Sequence, residues 1–114
     1  MSDCIFCKII SGDIPSTKVF EDDDILAIRD INPQTPVHVL VMPKRHLSSL
    51  MAMEDRDEGL LGRLMNRARR IAQAEGLEDG GARFVINYGP HAGQTVAHLH
   101  IHVMGGRQMG LQQG

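Results

Sequence analysis

The chain reads as an α+β domain, a mainly antiparallel five-stranded sheet with one long helix and a short N-terminal helix. Two observations predict it. Apolar residues alternate in several short segments, whereas a helical period is sustained in only one long segment, residues 54–75. The elements run in the order strand, strand, strand, helix, strand, strand, with no internal repeat or linker. The 114 residues, 42% hydrophobic, suffice for a single domain over residues 1–114.

Residues 4–10 (CIFCKII) form a short apolar turn or helix, closed by Ser11, Gly12, Asp13 and Pro15. Lys18–Glu21 and Ile25–Arg29 flank the acidic turn Asp22–Asp24 and read as a hairpin. Asn32-Pro33 and Pro36 mark a loop. Val37–Met42 is apolar and β-branched, the pattern of a central strand, and Pro43 ends it. In the helix, Leu60, Leu61, Leu64, Met65, Ala68, Ile71 and Ala72 fall at three- and four-residue steps, and Gly76 supplies a stop. Arg83–Asn87 is a fourth strand, Tyr88–Gln94 a glycine-bearing loop and Thr95–Met104 the last strand. Residues 105–114 are polar and glycine-rich and read as a loosely held tail.

Fourteen acidic against twelve basic residues give a net charge of -2, with no basic excess to advertise a nucleic-acid partner. No apolar run reaches the roughly 18 residues of a membrane span, and the start lacks a signal peptide's order. The expectation is a cytoplasmic protein. Cys4 and Cys7 are too few and too close to frame a secreted mini-protein.

Histidine is the unusual component: four of the six lie between His91 and His102. In His98-Leu-His-Ile-His-Val-Met104 the alternation sends His98, His100 and His102 to one face and Leu99, Ile101 and Val103 to the other. On a regular strand the imidazoles repeat every roughly 6.6 Å, so the outer two, roughly 13 Å apart, cannot share one metal ion. A row of imidazoles titrating near neutrality instead offers a nucleophile, a proton donor and an orienting group. A polar sheet face that merely uses histidine explains one such residue better than three. The loop before the strand, Asn87 to Thr95, adds uncharged donors at Asn87, Gln94 and Thr95 and close backbone approach at Gly93. That set suits a phosphate, although a long hairpin loop would use the same glycines.

These residues resemble the histidine triad (HIT) superfamily, whose signature alternates three histidines with apolar residues. The similarity extends through Ile5-Phe-Cys-Lys-Ile-Ile10, Asp30-Ile-Asn-Pro33, Pro43-Lys-Arg-His46, Gly93-Gln-Thr-Val96 and Gly105-Gly-Arg-Gln-Met109. The last segment is similar to the histidine triad nucleotide-binding (Hint) branch. The resemblance implies a HIT-like fold and a hydrolase, a phosphoramidase acting on purine nucleoside 5′-phosphoramidates or related nucleoside monophosphate esters. It makes His100 the nucleophile that carries a nucleotidyl intermediate, with His102 and Thr95 donating to phosphate or leaving group. His38 is a proton-sharing partner, and His98 fixes its neighbour's geometry. No cofactor is required for that chemistry. The implied nucleotide site adds Asp30 for the ribose, and Asn87, Gly93, Gln94, Thr95 and Val96 with His100 and His102 for the phosphate. Ile5, Phe6, Ile9, Ile28, Ile31 and Leu40 would line the base slot. Thr95 replaces the serine of many branch members, and Ile28 replaces an aromatic residue in the slot. A two-fold homodimer is implied as well.

Cys4-Ile-Phe-Cys7 has zinc-knuckle spacing without a second local pair. Two core thiols are an alternative; a thioredoxin-like pair lacks its preceding strand. Relatives with such a pair, including galactose-1-phosphate uridylyltransferase, bind structural zinc. The matching positions here are Cys4, Cys7, His46 and His98. The competing functional readings are a non-catalytic nucleotide-binding or interaction protein and a dinucleoside polyphosphate hydrolase.

Overall fold

The computed structural model describes residues 3–110. The elements are α1 (Ile5–Ser11), β1 (Lys18–Glu21), β2 (Ile25–Arg29), β3 (Val37–Pro43), α2 (Glu58–Ala74), β4 (Ala82–Val85) and β5 (Ile101–Gly105). The five strands form one sheet in the order β1-β2-β3-β5-β4, every pair antiparallel. The α+β reading holds, and β3 is central as its composition predicts.

Local chemistry sets the early turns. Asp22 Oδ1 accepts hydrogen bonds from the backbone N–H groups of Asp24 and Ile25, both 2.8 Å, and closes the β1–β2 hairpin. Gly12, at φ 91°, ends α1 in the left-handed conformation that glycine adopts without strain.

The sheet is apolar on both faces, which explains the near-continuous runs of β2 and β3. Ile25, Ala27, Val39 and Val41 pack with Leu64, Ala68 and Ile71 of α2 and with Leu99, Ile101 and Val103. Leu26, Ile28, Leu40 and Met42 face the opposite way and pack on Phe6 and Ile9 of α1. Leu64 is fully buried, and removing such a side chain from water contributes about 1.5–3 kcal/mol.

Some element boundaries and the burial of one helical residue depart from the sequence pattern. Helix α2 starts at Glu58, not 54, because a 3₁₀ turn at Asp55–Asp57 precedes it. The buried Asp57 carboxylate accepts from the Glu54 N–H at 2.9 Å and from Arg45 at 2.8 Å, which anchors that turn. Met65 belongs to the helical series but is 39% exposed. Arg67 lies over the Phe20 ring at 3.6 Å, so a cation–π contact covers part of that strand. Strand β4 ends at Val85, short of Asn87.

The last strand is shorter than the histidine alternation suggests, Ile101–Gly105 instead of Thr95–Met104. Its ladder with β3 runs from Val37↔Gly105 to Val41↔Ile101 and stops there. Beyond it, Pro43 has no N–H to offer, and the Leu99 N–H bonds the Leu47 carbonyl at 2.7 Å instead.

Residues 106–110 are tied to the body. Gly106 turns at φ +100°, where an added Cβ would come within 2.9 Å of Pro36 Cβ. Arg107 donates to the Gln34 carbonyl at 2.9 Å, and Arg83 donates to the Gly110 carbonyl. Residues 111–114 of the expected loose tail lie outside the described residues. Among the described residues, no helix is long and apolar enough to cross a membrane.

Candidate active site

The backbone of residues 98–102 sets out three inequivalent imidazoles. Only His102 is inside the ladder, opposite Leu40 on β3 and Val85 on β4. His98 and His100 precede the strand, yet Leu99, Ile101 and Val103 all remain buried in the α2-side core, so the alternation of faces persists. The His100 and His102 ring centroids are 5.0 Å apart.

Hydrogen bonds fix the tautomer of each ring. His98 Nε2 is 2.8 Å from the Pro43 carbonyl, which only accepts, so Nε2 carries the proton and Nδ1 keeps a lone pair. His100 Nδ1 is 2.7 Å from the His98 carbonyl, so Nδ1 is protonated and the lone pair is on Nε2. The Gln34 N–H donates to His38 Nδ1 at 3.0 Å, leaving the proton of neutral His38 on Nε2. That Nε2–H donates to His102 Nδ1 at 2.9 Å and leaves the proton of neutral His102 on Nε2. The Asp30 carboxylate adds a contact of 3.5 Å to His38 Nε2.

The rings are held neutral. Burial pushes His38, His98 and His100 below the ordinary histidine value. His102 falls to about 4, first through burial and then through the neighbouring His100 and His38. A neutral His100 with its lone pair on Nε2 is a nucleophile, and a neutral His102 protonated on Nε2 is a hydrogen-bond donor.

The residues of the loop before the triad, Asn87 to Val96, divide into anchors and available donors. Gln94 is an anchor: its Oε1 accepts from the Gly89 N–H at 2.9 Å, and its Nε2 donates to the Ser48 and Val96 carbonyls. Gly93 takes φ 76°, and Thr95 is exposed. Asn87 and Val96 are half-buried. In the apolar wall, Phe6, Ile9, Ile28 and Leu40 are brought into one buried cluster. Ile5 and Ile31 are not, at 45% and 88% exposed. Asp30 lies beside His38, its Oδ1 accepting from the Asn32 N–H at 2.9 Å.

Next to the triad, Cys4, Cys7, His46 and His98 place one donor atom each within 4.8 Å of one another. The Cys4 Sγ–His98 Nδ1, Cys7 Sγ–His46 Nδ1 and Cys7 Sγ–His98 Nδ1 separations are 3.3, 3.3 and 3.7 Å. A tetrahedral zinc ion with bonds of about 2.3 Å to sulfur and 2.05 Å to nitrogen sets those atoms about 3.5 Å apart. The donor set therefore fits zinc. The Pro43 carbonyl orients His98 as the outer partner of a metal-bound imidazole does. Burial and the Cys4 thiol raise the Cys7 pKa, an effect that a bound cation opposes.

Residues 11–109 match the HIT domain. The chain belongs to the HIT family. Among relatives, it is 52% identical to the 14 kDa zinc-binding protein of Brassica juncea, over 98% of this chain and all of that protein. It is also 52% identical to Adenylylsulfatase HINT1 of Arabidopsis thaliana, over 99% of this chain and 78% of that one. A solved HIT family hydrolase from Legionella pneumophila Philadelphia 1 superposes with a TM-score of 0.95 at 49% identity, covering 98% of this chain and 100% of the other. The Hint-like resemblance and the fold expectation are both upheld.

The HIT signature thus located the three histidines, but not the groups that assign their protons. The Pro43 carbonyl and the Gln34 N–H are backbone groups, and no side-chain pattern announces them. Phe6 is a further contact, with ring centroids 5.8 Å from His98 and 5.0 Å from His100. Its place between the two cysteines was the available signal.

Proposed function

We propose that this HIT protein hydrolyses nucleoside 5′-phosphoramidates, with purine nucleosides preferred, through a nucleotidyl intermediate on His100. One observation carries the reading: the 2.7 Å bond from His100 Nδ1 to the His98 carbonyl, which leaves the Nε2 lone pair for phosphorus. Nε2 attacks the α-phosphorus, and the phosphorus–nitrogen bond breaks as the leaving amine takes a proton passed from solvent through the exposed Thr95 hydroxyl. Water then cleaves the phosphorus–nitrogen bond to His100 and releases the nucleoside monophosphate. Splitting the displacement in two lowers each barrier. Charge accumulating on the phosphoryl oxygens meets the His102 Nε2–H, the Thr95 hydroxyl and the backbone of the Gly93–Val96 loop.

Asp30 accepts from the ribose hydroxyls in this reading, and the Phe6, Ile9, Ile28 and Leu40 wall receives the base. Ile5 and Ile31, both exposed, would leave that slot open to solvent, which favours modest base selectivity. The name of the Arabidopsis relative supports an adenylyl group on the substrate, with sulfate as a second leaving group at the same phosphorus. Cys4, Cys7, His46 and His98 would hold a zinc ion whose contribution is structural, tying α1 to the sheet. The relative named a zinc-binding protein supports that assignment. The chain acts in the cytoplasm as a homodimer in this reading. The short edge strand β4, with Phe84 40% exposed, and the outward Met65 of α2 support an apolar face between copies.

The test is His100→Ala. It should abolish release of AMP from adenosine 5′-phosphoramidate while retaining AMP binding. A variant keeping more than about one hundredth of the wild-type rate removes His100 from the nucleophile's role, since acid–base assistance alone is worth roughly 100- to 10,000-fold.

A further inference from the structure

The metal cluster and the nucleophile share two physical connections. The first is His98, whose Nδ1 faces the thiols while its carbonyl accepts from His100 Nδ1 at 2.7 Å. The second is Phe6, in the first turn of α1, with the N-cap Cys4 two residues before it and Cys7 directly after it. Its ring stands edge-on to His98 at 75° and to His100 at 87°, and it is only 6% exposed. Helix α1 is seven residues long, too short to hold itself together in water. The thiol–imidazole cluster and the packing of Phe6 and Ile9 are what fix it over the sheet.

We propose that Phe6 is a positioning residue for the His100 nucleophile and that metal occupancy of the Cys4, Cys7, His46 and His98 cluster is coupled to nucleotide binding through it. The inference rests on the nucleotide-hydrolase reading above. Closing four ligands around an ion restrains α1 on one side of Phe6 and the His98 backbone on the other. Both walls of the His100 ring are then fixed, and so is the line along which Nε2 meets phosphorus. Without the ion, α1 and the peptide at His98 gain freedom. A nucleotide pressed against Phe6 and His100 must then order them itself, which weakens its binding. The coupling is reciprocal: whatever factor the metal adds to nucleotide affinity, the nucleotide adds to metal affinity.

The experiment measures AMP affinity by calorimetry on zinc-loaded and chelator-treated full-length protein, and zinc affinity with and without AMP. Metal removal should weaken AMP by about fivefold or more, and AMP should tighten zinc by the same factor. Equal AMP affinity in both forms, with circular dichroism unchanged, overturns the coupling while leaving the nucleotide-site reading intact. No AMP binding to the zinc-loaded protein overturns that reading and this inference with it. Because the metal-free chain is at risk of unfolding, Phe6→Leu provides a second arm at full zinc occupancy. It should lower kcat for adenosine 5′-phosphoramidate about three- to tenfold, the range an aromatic pair contributes, a loss at saturating substrate that the slot-wall contact alone would not produce. A variant that keeps kcat, whatever its AMP affinity, makes Phe6 part of the slot wall only and refutes the positioning role.

Discussion

His38→Leu tests the proton arrangement at its origin. The substitution removes the acceptor of the Gln34 N–H, at 3.0 Å, and the donor to His102 Nδ1, at 2.9 Å, in a residue only 4% exposed. Two net hydrogen bonds of about 0.5–1.5 kcal/mol each make the expected stability loss about 1–3 kcal/mol. For a domain of this size, that lowers Tm by roughly 5–15 °C. The kinetic effect is separate. Without the His38 donor, His102 is free to place its proton on Nδ1, and Nε2 then meets the phosphoryl oxygen with a lone pair. Losing a charge-assisted hydrogen bond of about 1.5–3 kcal/mol in the transition state lowers kcat roughly 10- to 150-fold. Adenosine 5′-phosphoramidate turnover gives the rate, and nitrogen-15 NMR of the imidazoles reads the tautomer directly. His38→Gln, whose amide still donates toward His102, should recover part of the rate. A His38→Leu enzyme within about threefold of wild-type kcat, with His102 still protonated on Nε2, refutes the relay.

Asp30→Ala should raise KM about tenfold or more and erase discrimination between ribo- and 2′-deoxyribo-substrates, read from kcat/KM; unchanged selectivity removes Asp30 from the ribose. Protein purified without chelator should carry about one zinc per chain, and Cys4→Ser should lower Tm more than kcat; a metal-free protein melting no lower leaves the cysteines as core thiols. Stability should also fall with acid. Below pH 6.5 the unfolded chain protonates rings that the folded chain keeps neutral, down to about pH 4 at His102. The stabilisation is complete above pH 6.5 and is lost as pH falls through that window. Because acid also releases metal from thiolates, the comparison is with His102→Gln at equal zinc content, which should lose less Tm between pH 7 and 5. Identical slopes for the two proteins refute the His102 contribution.

What the sequence made legible was periodicity and chemistry-bearing side chains. The hairpin at Asp22, the central β3, the Cys4–Cys7 pair and the triad announce themselves by residue type and spacing, whereas His46 and His98 join that pair only through the family resemblance. Helix α2 was legible in its apolar series but not at its start, because the Glu54–Asp57 turn uses side-chain acceptors that resemble an ordinary first helical turn. Met65 fits the series and still faces outward, since burial is decided by the sheet beneath and not by period alone. Gln94 looked like a free donor beside a glycine. Its amide is instead bonded to Gly89, Ser48 and Val96, contacts set by where the loop folds back.

The deepest difference concerns the strand itself. An ideal strand makes His98, His100 and His102 equivalent, three rings at equal steps on one face. The ladder of β3 with β5 ends at Val41↔Ile101, and that break assigns their roles. His102 stays within the ladder opposite Leu40, where His38 of the neighbouring strand reaches it. His98, beyond the break, is free of strand geometry, and the Pro43 carbonyl turns its Nδ1 toward Cys4 and Cys7. His100 lies between the two regimes, and the preceding carbonyl that a paired strand would commit to its neighbour accepts its Nδ1–H instead. By the same register His98 falls opposite Lys44, so a ladder carried three pairs further could commit that carbonyl to β3 and leave the His100 tautomer undetermined. The early end of β5 therefore leaves the His98 carbonyl free to hold the His100 proton on Nδ1 and the lone pair on Nε2.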